Sequence, residues 1–118
     1  MKRVVALAGR RTAFPVALLL LFGLGGALAE GEYAKVEIVV TNKKFEPAEV
    51  KVPANARIVI QLKNQDPVAM EFESKSLKVE KVVAPNSEGL VRVGPLKPGR
   101  YEFFDDFNET NRGTLIVD

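Results

Sequence analysis

Between residues 36 and 117 almost every segment sets apolar side chains at alternate positions, and no window of a dozen residues repeats them at helical spacing. This is the signature of strands, whose successive side chains point to opposite faces. Val36, Ile38 and Val40 share one face of a first strand, with Lys35 and Glu37 on the other. Val50 and Val52 form a short second strand between Pro47 and Pro53, and Ile58, Ile60 and Leu62 alternate with Arg57, Val59, Gln61 and Lys63 in a third. Asn64-Gln-Asp-Pro67 ends that strand, since Asn and Asp side chains close turns and Pro breaks the ladder. Met70 and Phe72 then face one way, and Glu71 and Glu73 the other. Val82 and Val83 read as a short edge piece, residues 90–93 as a strand after the Pro85-Asn-Ser turn, and residues 114–117 as the closing strand. About seven short strands separated by turn signals predict an all-β, two-sheet antiparallel sandwich with Greek-key connections. Leu96-Lys-Pro-Gly-Arg-Tyr101 fits a tyrosine corner, in which the phenol at the start of a late strand bonds back to the backbone just upstream.

Residues 1–29 have the pattern of a cleaved secretory signal peptide. Lys2, Arg3, Arg10 and Arg11 form a basic start, residues 13–28 are apolar, and Ala27-Leu-Ala29 is a small-residue cleavage site. Pro15, Gly23, Gly25 and Gly26 interrupt the apolar run, which is short for a membrane span. Arg10-Arg11 resembles a twin-arginine signal with imperfect spacing, so Sec export to the periplasm is predicted, with one domain at residues 30–118. No cysteine follows the apolar run, which excludes a lipoprotein.

Four of the 17 basic residues and none of the 15 acidic ones lie in that leader, leaving 13 basic against 15 acidic residues and a net charge of −2. The basic stripe with interleaved aromatics that nucleic-acid binding requires is missing. With no cysteine the domain has no disulfide, so a packed core must hold it. With no histidine either, it lacks a nucleophile–base pair, and Ser74, Ser76 and Ser87 have no base nearby in sequence. Gly94-Pro and Pro98-Gly99 are turn glycines rather than a phosphate loop. The sequence carries no enzymatic motif.

The order Lys43-Lys-Phe-Glu-Pro47, Val52-Pro-Ala-Asn-Ala56, Lys63-Asn-Gln-Asp66, Met70-Glu-Phe-Glu73, then residues 96–101 and 113–117, resembles the cupredoxin-like family along the whole predicted domain. More narrowly, Glu71-Phe-Glu-Ser74, Glu80-Lys-Val82 and Phe103-Phe-Asp-Asp-Phe107 resemble the small periplasmic cupredoxin-like proteins of iron-permease uptake systems, the FtrB type, related to the N-terminal domain of EfeO. The resemblance implies a Greek-key sandwich. It also places the family's first copper-ligating His at Met70 or Ala69, its Cys at Asp105 and its second His at or near Asn108. A trigonal His2Cys set with a weak axial Met is what makes and tunes a blue-copper centre, so none is expected here.

The remaining candidate ligands are Glu71, Glu73, Glu80, Asp105, Asp106 and Asn108, with Met70 beside them in the family pattern, and Glu109 as a further carboxylate. Carboxylate and amide oxygens suit hard ions rather than Cu(I). Iron, or else copper, is the metal the resemblance implies. The plainer reading of each is also open: Glu71 and Glu73 as a solvated strand face, Glu80-Lys81 as a local ion pair, Asp105 and Asp106 as turn residues bonding the backbone. Asp105, after Phe103-Phe104, is expected to be partly buried and to need a cation or donors such as Lys81 or Arg112. A convergence of Asp105 with Glu71, Glu73 and Glu80 at one end would invite a cation. Two functional readings follow. One is a periplasmic accessory of an iron or copper uptake system that binds metal transiently through carboxylates, beside a membrane iron permease or periplasmic metal-binding protein and assisting oxidation by resemblance. The other is a metal-free sandwich serving as an adaptor.

Overall fold

The computed structural model describes residues 33–118. The predicted signal peptide lies outside the described residues. Nine strands follow in order: β1 Ala34–Thr41, β2 Lys44–Glu46, β3 Glu49–Val52, β4 Ile58–Asn64, β5 Met70–Ser74, β6 Val79–Val83, β7 Ser87–Val93, β8 Gly99–Asp105 and β9 Asn108–Val117. They form a four-stranded sheet, β2-β1-β4-β7, and a five-stranded sheet, β3-β9-β8-β5-β6. The chain crosses between the sheets repeatedly, which is the predicted Greek-key sandwich.

The ladders correct the expectation of purely antiparallel sheets. β1 runs parallel to β4, from Ala34 opposite Ile58 to Val40 opposite Asn64, and β3 runs parallel to β9, from Glu49 opposite Thr114 to Val52 opposite Val117. Both follow from crossover: β1 and β3 each pair with a strand remote in sequence, so no hairpin turn dictates opposite directions. Two stretches without apolar alternation are strands as well. β2 is held by the tight β1–β2 turn, and β9 begins at Asn108 in antiparallel pairing with β8.

Alternation puts Ile38, Val40, Ile58, Ile60, Leu62, Met70, Phe72, Phe103 and Leu115 inside, each almost fully buried. At the centre Phe103 stacks on Phe72 with ring centroids 4.9 Å apart, and Phe45 meets Phe103 edge-on at 5.0 Å. These are the offset and edge-to-face geometries that aromatic quadrupoles favour. Gly113 makes the room. A Cβ there would lie 2.5 Å from Phe103 ring carbons and 2.7 Å from the Ala48 carbonyl oxygen. The tyrosine corner is present, with the Tyr101 hydroxyl donating to the Lys97 carbonyl at 2.7 Å.

Lys81 departs from the expected pairing with Glu80 or Asp105. It stands opposite Phe72 and so points inward from the edge strand β6, its stem lying over Gly89 of β7. An inward-pointing lysine on an edge strand keeps the charged end in water while its methylenes cover the seam.

Truncation of Phe103 to Ala should cost about 3–5 kcal/mol, the range for a buried aromatic, whereas Tyr101→Phe should cost only about 0.5–1.5 kcal/mol, one hydrogen bond. Gly113→Ala should destabilise more than Tyr101→Phe, because one of its clashes is with backbone. Urea unfolding of the three variants checks this order, and a Gly113→Ala midpoint equal to wild type would contradict the packing described.

Candidate metal centre and the end of the sandwich

The alternation that buries Phe72 and Phe103 splits the predicted ligands between two places. On β5, Met70 and Phe72 face the core, while Glu71 and Glu73 are half-buried on the outer face of the five-stranded sheet. Glu80 of β6 stands directly opposite Glu73. The Asp106 amide donates to the Glu71 carbonyl at 2.8 Å, which brings the Asp106 carboxylate onto the same outer face. Glu71, Glu73 and Asp106 can each offer an oxygen with all three oxygens within 4.8 Å of one another. Beside them a broad concavity of about 780 Å³ is lined by Glu73, Glu80, Asp106 and Glu109, and also by Phe104 and Arg112. The Arg112 guanidinium stacks over the Phe104 ring at 5.0 Å, so it does not serve Asp105 as the sequence suggested.

Asp105 does not join that cluster. It is 4% exposed at the inner end of β8, and its Oδ1 accepts the amide N–H groups of Glu71 (2.9 Å) and Phe107 (3.0 Å). Its donors are thus backbone amides rather than Lys81 or Arg112: the turn after β8 presents the Phe107 N–H, and the start of the adjacent strand β5 presents the Glu71 N–H. The link from Asp105 to Glu71 runs through the Glu71 backbone, with the two carboxylates on opposite sides of the sheet.

Met70, Ala69, Asp105 and Asn108, the positions to which the resemblance assigns copper ligands, do come together. They line a second pocket of about 250 Å³ at one end of the sandwich. Neighbouring turns complete it. Asn42 and Lys43, both with left-handed φ of 54° and 59°, close the β1–β2 turn, and their amides donate to the two carboxylate oxygens of Asp66, each at 2.8 Å. The buried Asn64 accepts the Asp66 amide at 3.1 Å and donates to the Val68 carbonyl at 2.8 Å, fastening the loop that carries Val68 and Ala69. Asp66 and Asn64 were read from sequence only as turn formers. The role of Asp66 in shaping the pocket follows from pairing across 23 and 24 residues, which local spacing does not reveal.

These residues do not fit a blue-copper ion. The chain has neither the thiolate nor an imidazole, Met70 supplies a lone soft donor, and Asp105 has one oxygen committed to two backbone amides. The outer-face group is chemically different, with three hard oxygen donors suited to a hard cation.

Its electrostatics are those of crowded like charges. Partial burial, then the charges of Glu80, Asp106 and Glu73, hold the Glu71 carboxyl above its ordinary range. Partial burial and the charges of Asp106 and Glu80 do the same for Glu73, with Lys75 opposing. A carboxyl whose folded pKa is raised contributes stability that is fully present below its unfolded value and is lost as pH rises through the folded value. The window therefore opens near the ordinary glutamate value of 4.5 and extends upward. The Glu71→Gln/Glu73→Gln variant should melt above wild type at pH 7.5, with the gap closing as pH falls toward 4.5. Thermal melts across that range check it, and a gap independent of pH would contradict the repulsion.

Comparison with known proteins places this geometry. Residues 14–117 match the cupredoxin-like domain family. An uncharacterized Rickettsia prowazekii protein is 40% identical over 84 residues, covering 70% of this chain and 67% of the relative. Among solved structures, the metal-binding domain of the Streptococcus pneumoniae Cu(I)-exporting P-type ATPase CopA, determined with Cu(I), superposes with a TM-score of 0.67 at 20% identity, over 78% of this chain and 91% of that one. Auracyanin A, a blue copper protein from Chloroflexus aurantiacus, does so with a TM-score of 0.62 at 15% identity, over 74% and 100%. At these identities the superpositions show the shared fold, and together with the family match over most of the sequence they establish that the chain belongs to the cupredoxin-like domain family.

Proposed function

We propose that this protein is an exported accessory of an iron or copper uptake system, of the FtrB type, that holds a hard cation transiently at Glu71, Glu73 and Asp106. The observation that carries the reading is the approach of three carboxylate oxygens within 4.8 Å on one open sheet face. Glu80, opposite Glu73 in the ladder, adds negative charge at the rim. Like charges directly opposite one another destabilise a sheet, and a bound cation would offset that cost. Iron fits these donors better than Cu(I), which prefers sulfur and imidazole. An exposed, shallow group of carboxylates binds weakly and releases readily, which suits handing metal to a membrane iron permease or a periplasmic metal-binding protein. Export through the leader at residues 1–29 belongs to the same proposal. A metal-free adaptor is the second reading, favoured by one feature: Asp105, at the family's thiolate position, is taken up by backbone amides.

Anaerobic Fe(II) and Mn(II) should give saturable calorimetric heats with a Kd on the order of 10⁻⁴ M or weaker, in the manner of low-affinity oxygen sites. A tenfold excess of ion over Kd should add about 1.4 kcal/mol of stability by mass action. Glu71→Gln/Asp106→Asn should abolish both heat and melt shift while the metal-free melt stays equal or rises. Absence of heat at millimolar ion, or an unaltered response in the variant, would leave the adaptor reading in its place.

A further inference from the structure

Charge is segregated along the strands of the domain. β1 and β4 run parallel and start at one end, with Lys35 opposite Val59, and β7 finishes at that end with Arg92 opposite Val59 on the other side. Arg57 stands just before β4, its carbonyl accepting the Ala34 amide at 2.7 Å. Lys97 lies in the adjoining loop, where the Leu96 carbonyl accepts the Asn55 amide at 2.9 Å. All four basic residues are exposed. None of them is ion-paired among the described residues, where the pairs are Lys63–Glu37 and Arg100–Glu49. The acidic residues at this end among the described ones are Glu49, taken up by Arg100, and Asp118, whose carbonyl accepts the Ala54 amide. Asp66, Asp105 and Asp106 lie at the opposite end, where β4 and β8 finish. Residues 30–118 carry a net charge of −2, yet the domain has a positive pole. A charge distribution of this kind orients a molecule at an anionic surface even when its net charge has the wrong sign.

Two further features of this end match lipid. Tyr33 is 38% exposed and has the Arg57 guanidinium 5.9 Å from its ring centroid. An aromatic with a polar tip beside long basic side chains is the composition that settles at headgroup level. The chain also enters the domain here, since Tyr33 and Ala34 lead into β1 a few residues after the apolar run of residues 13–28. This end therefore follows closely, along the chain, on a segment of the kind that engages a bilayer during export. Glu30 and Glu32 in the joining segment offset part of the positive charge, which makes the attraction modest and sensitive to salt.

We propose that the basic end, through Lys35, Arg57, Arg92 and Lys97, docks the domain on an anionic phospholipid surface, with Tyr33 at the level of the headgroups. The four side chains act within about a Debye length of that surface, about 8 Å at physiological ionic strength. Docked in this way, the domain holds the end pocket away from the lipid. The surface is separate from the Glu71, Glu73 and Asp106 group, so the proposal stands whether or not that group binds a cation.

The full chain in nanodiscs tests it, with a gadolinium chelate carried on a lipid headgroup as the reporter. The leader is common to every sample, so a difference between bilayers reports on the domain. In bilayers containing phosphatidylglycerol the amides of Lys35, Arg57, Arg92 and Lys97 should broaden, and those of Asp66 and Phe107 at the opposite end should not. The effect should fall several-fold in pure phosphatidylcholine, and likewise at about 1 M salt, where the Debye length shrinks to about 3 Å. Arg92→Gln/Lys97→Gln should weaken it several-fold, and because both side chains are exposed the amide spectrum elsewhere should stay as in wild type. Equal broadening in phosphatidylcholine, broadening at the Asp66 end, or full broadening in the folded variant would overturn the proposal. Absence of the lipid effect together with saturable shifts of the same four amides by poly-glutamate would also overturn it, and would assign this end to an acidic protein.

Discussion

The arrangement of both candidate sites depends on how β8 ends. Asp105 turns inward and gives Oδ1 to the Glu71 and Phe107 amides, while the next residue, Asp106, bonds its amide to the Glu71 carbonyl and carries its side chain outward. A shift in the β8–β9 register at Phe104 and Asp105 accompanies that turn. One carboxylate therefore closes the inner end of the sheet, and its neighbour completes an acidic group on the outer face. Loss of the Asp105 oxygen would leave two part-buried amides short of partners, at a cost of up to about 1–3 kcal/mol for each group left unsatisfied.

The core makes this end rigid enough to hold such a geometry. Phe45 comes from the β2 edge of one sheet, Phe72 and Phe103 from the middle of the other, and their ring contacts at 4.9 to 6.3 Å bridge the layers. Gly113, opposite Phe103 in the β8–β9 ladder, is the small residue that lets the ring lie against the strand. Ser74 adds a polar pin at the other end of β5, donating to the Glu102 carbonyl at 2.7 Å. Two residues before Asp105, Phe103 is fixed on three sides, so the carboxylate reaches the end of the sandwich with little freedom.

Much of this was readable from alternation alone. Met70 and Phe72 facing in, Glu71 and Glu73 facing out and Tyr101 bonding upstream are consequences of a period of two and a local turn pattern. Alternation assigns a face and leaves the partner strand open, which is why the parallel pairings of β1 with β4 and β3 with β9 were not legible. β2 and the first half of β9 carry mostly polar residues, so they gave no apolar rhythm to follow. The expected convergence of Asp105 with Glu71, Glu73 and Glu80 failed for a related reason. Those residues are neighbours in the ladder, but Asp105 falls on the inner side of the pleat and the glutamates on the outer. Asp106, one position further, was the aspartate with the right parity.

The chemistry follows from what replaced the soft ligands. In a blue-copper protein a thiolate at the end of this sandwich binds the ion and the ion in turn fastens neighbouring segments. Here Asp105, the residue on which the family resemblance sets the thiolate, fastens the start of β5 to the turn after β8 through Oδ1. Hydrogen bonds within the chain thus fasten this end of the sandwich. What remains is a crowd of carboxylates on an outer face that core packing does not require. Their mutual repulsion raises the energy of the isolated fold, and a cation arriving from outside would offset it, which is the physical basis of the proposed metal site.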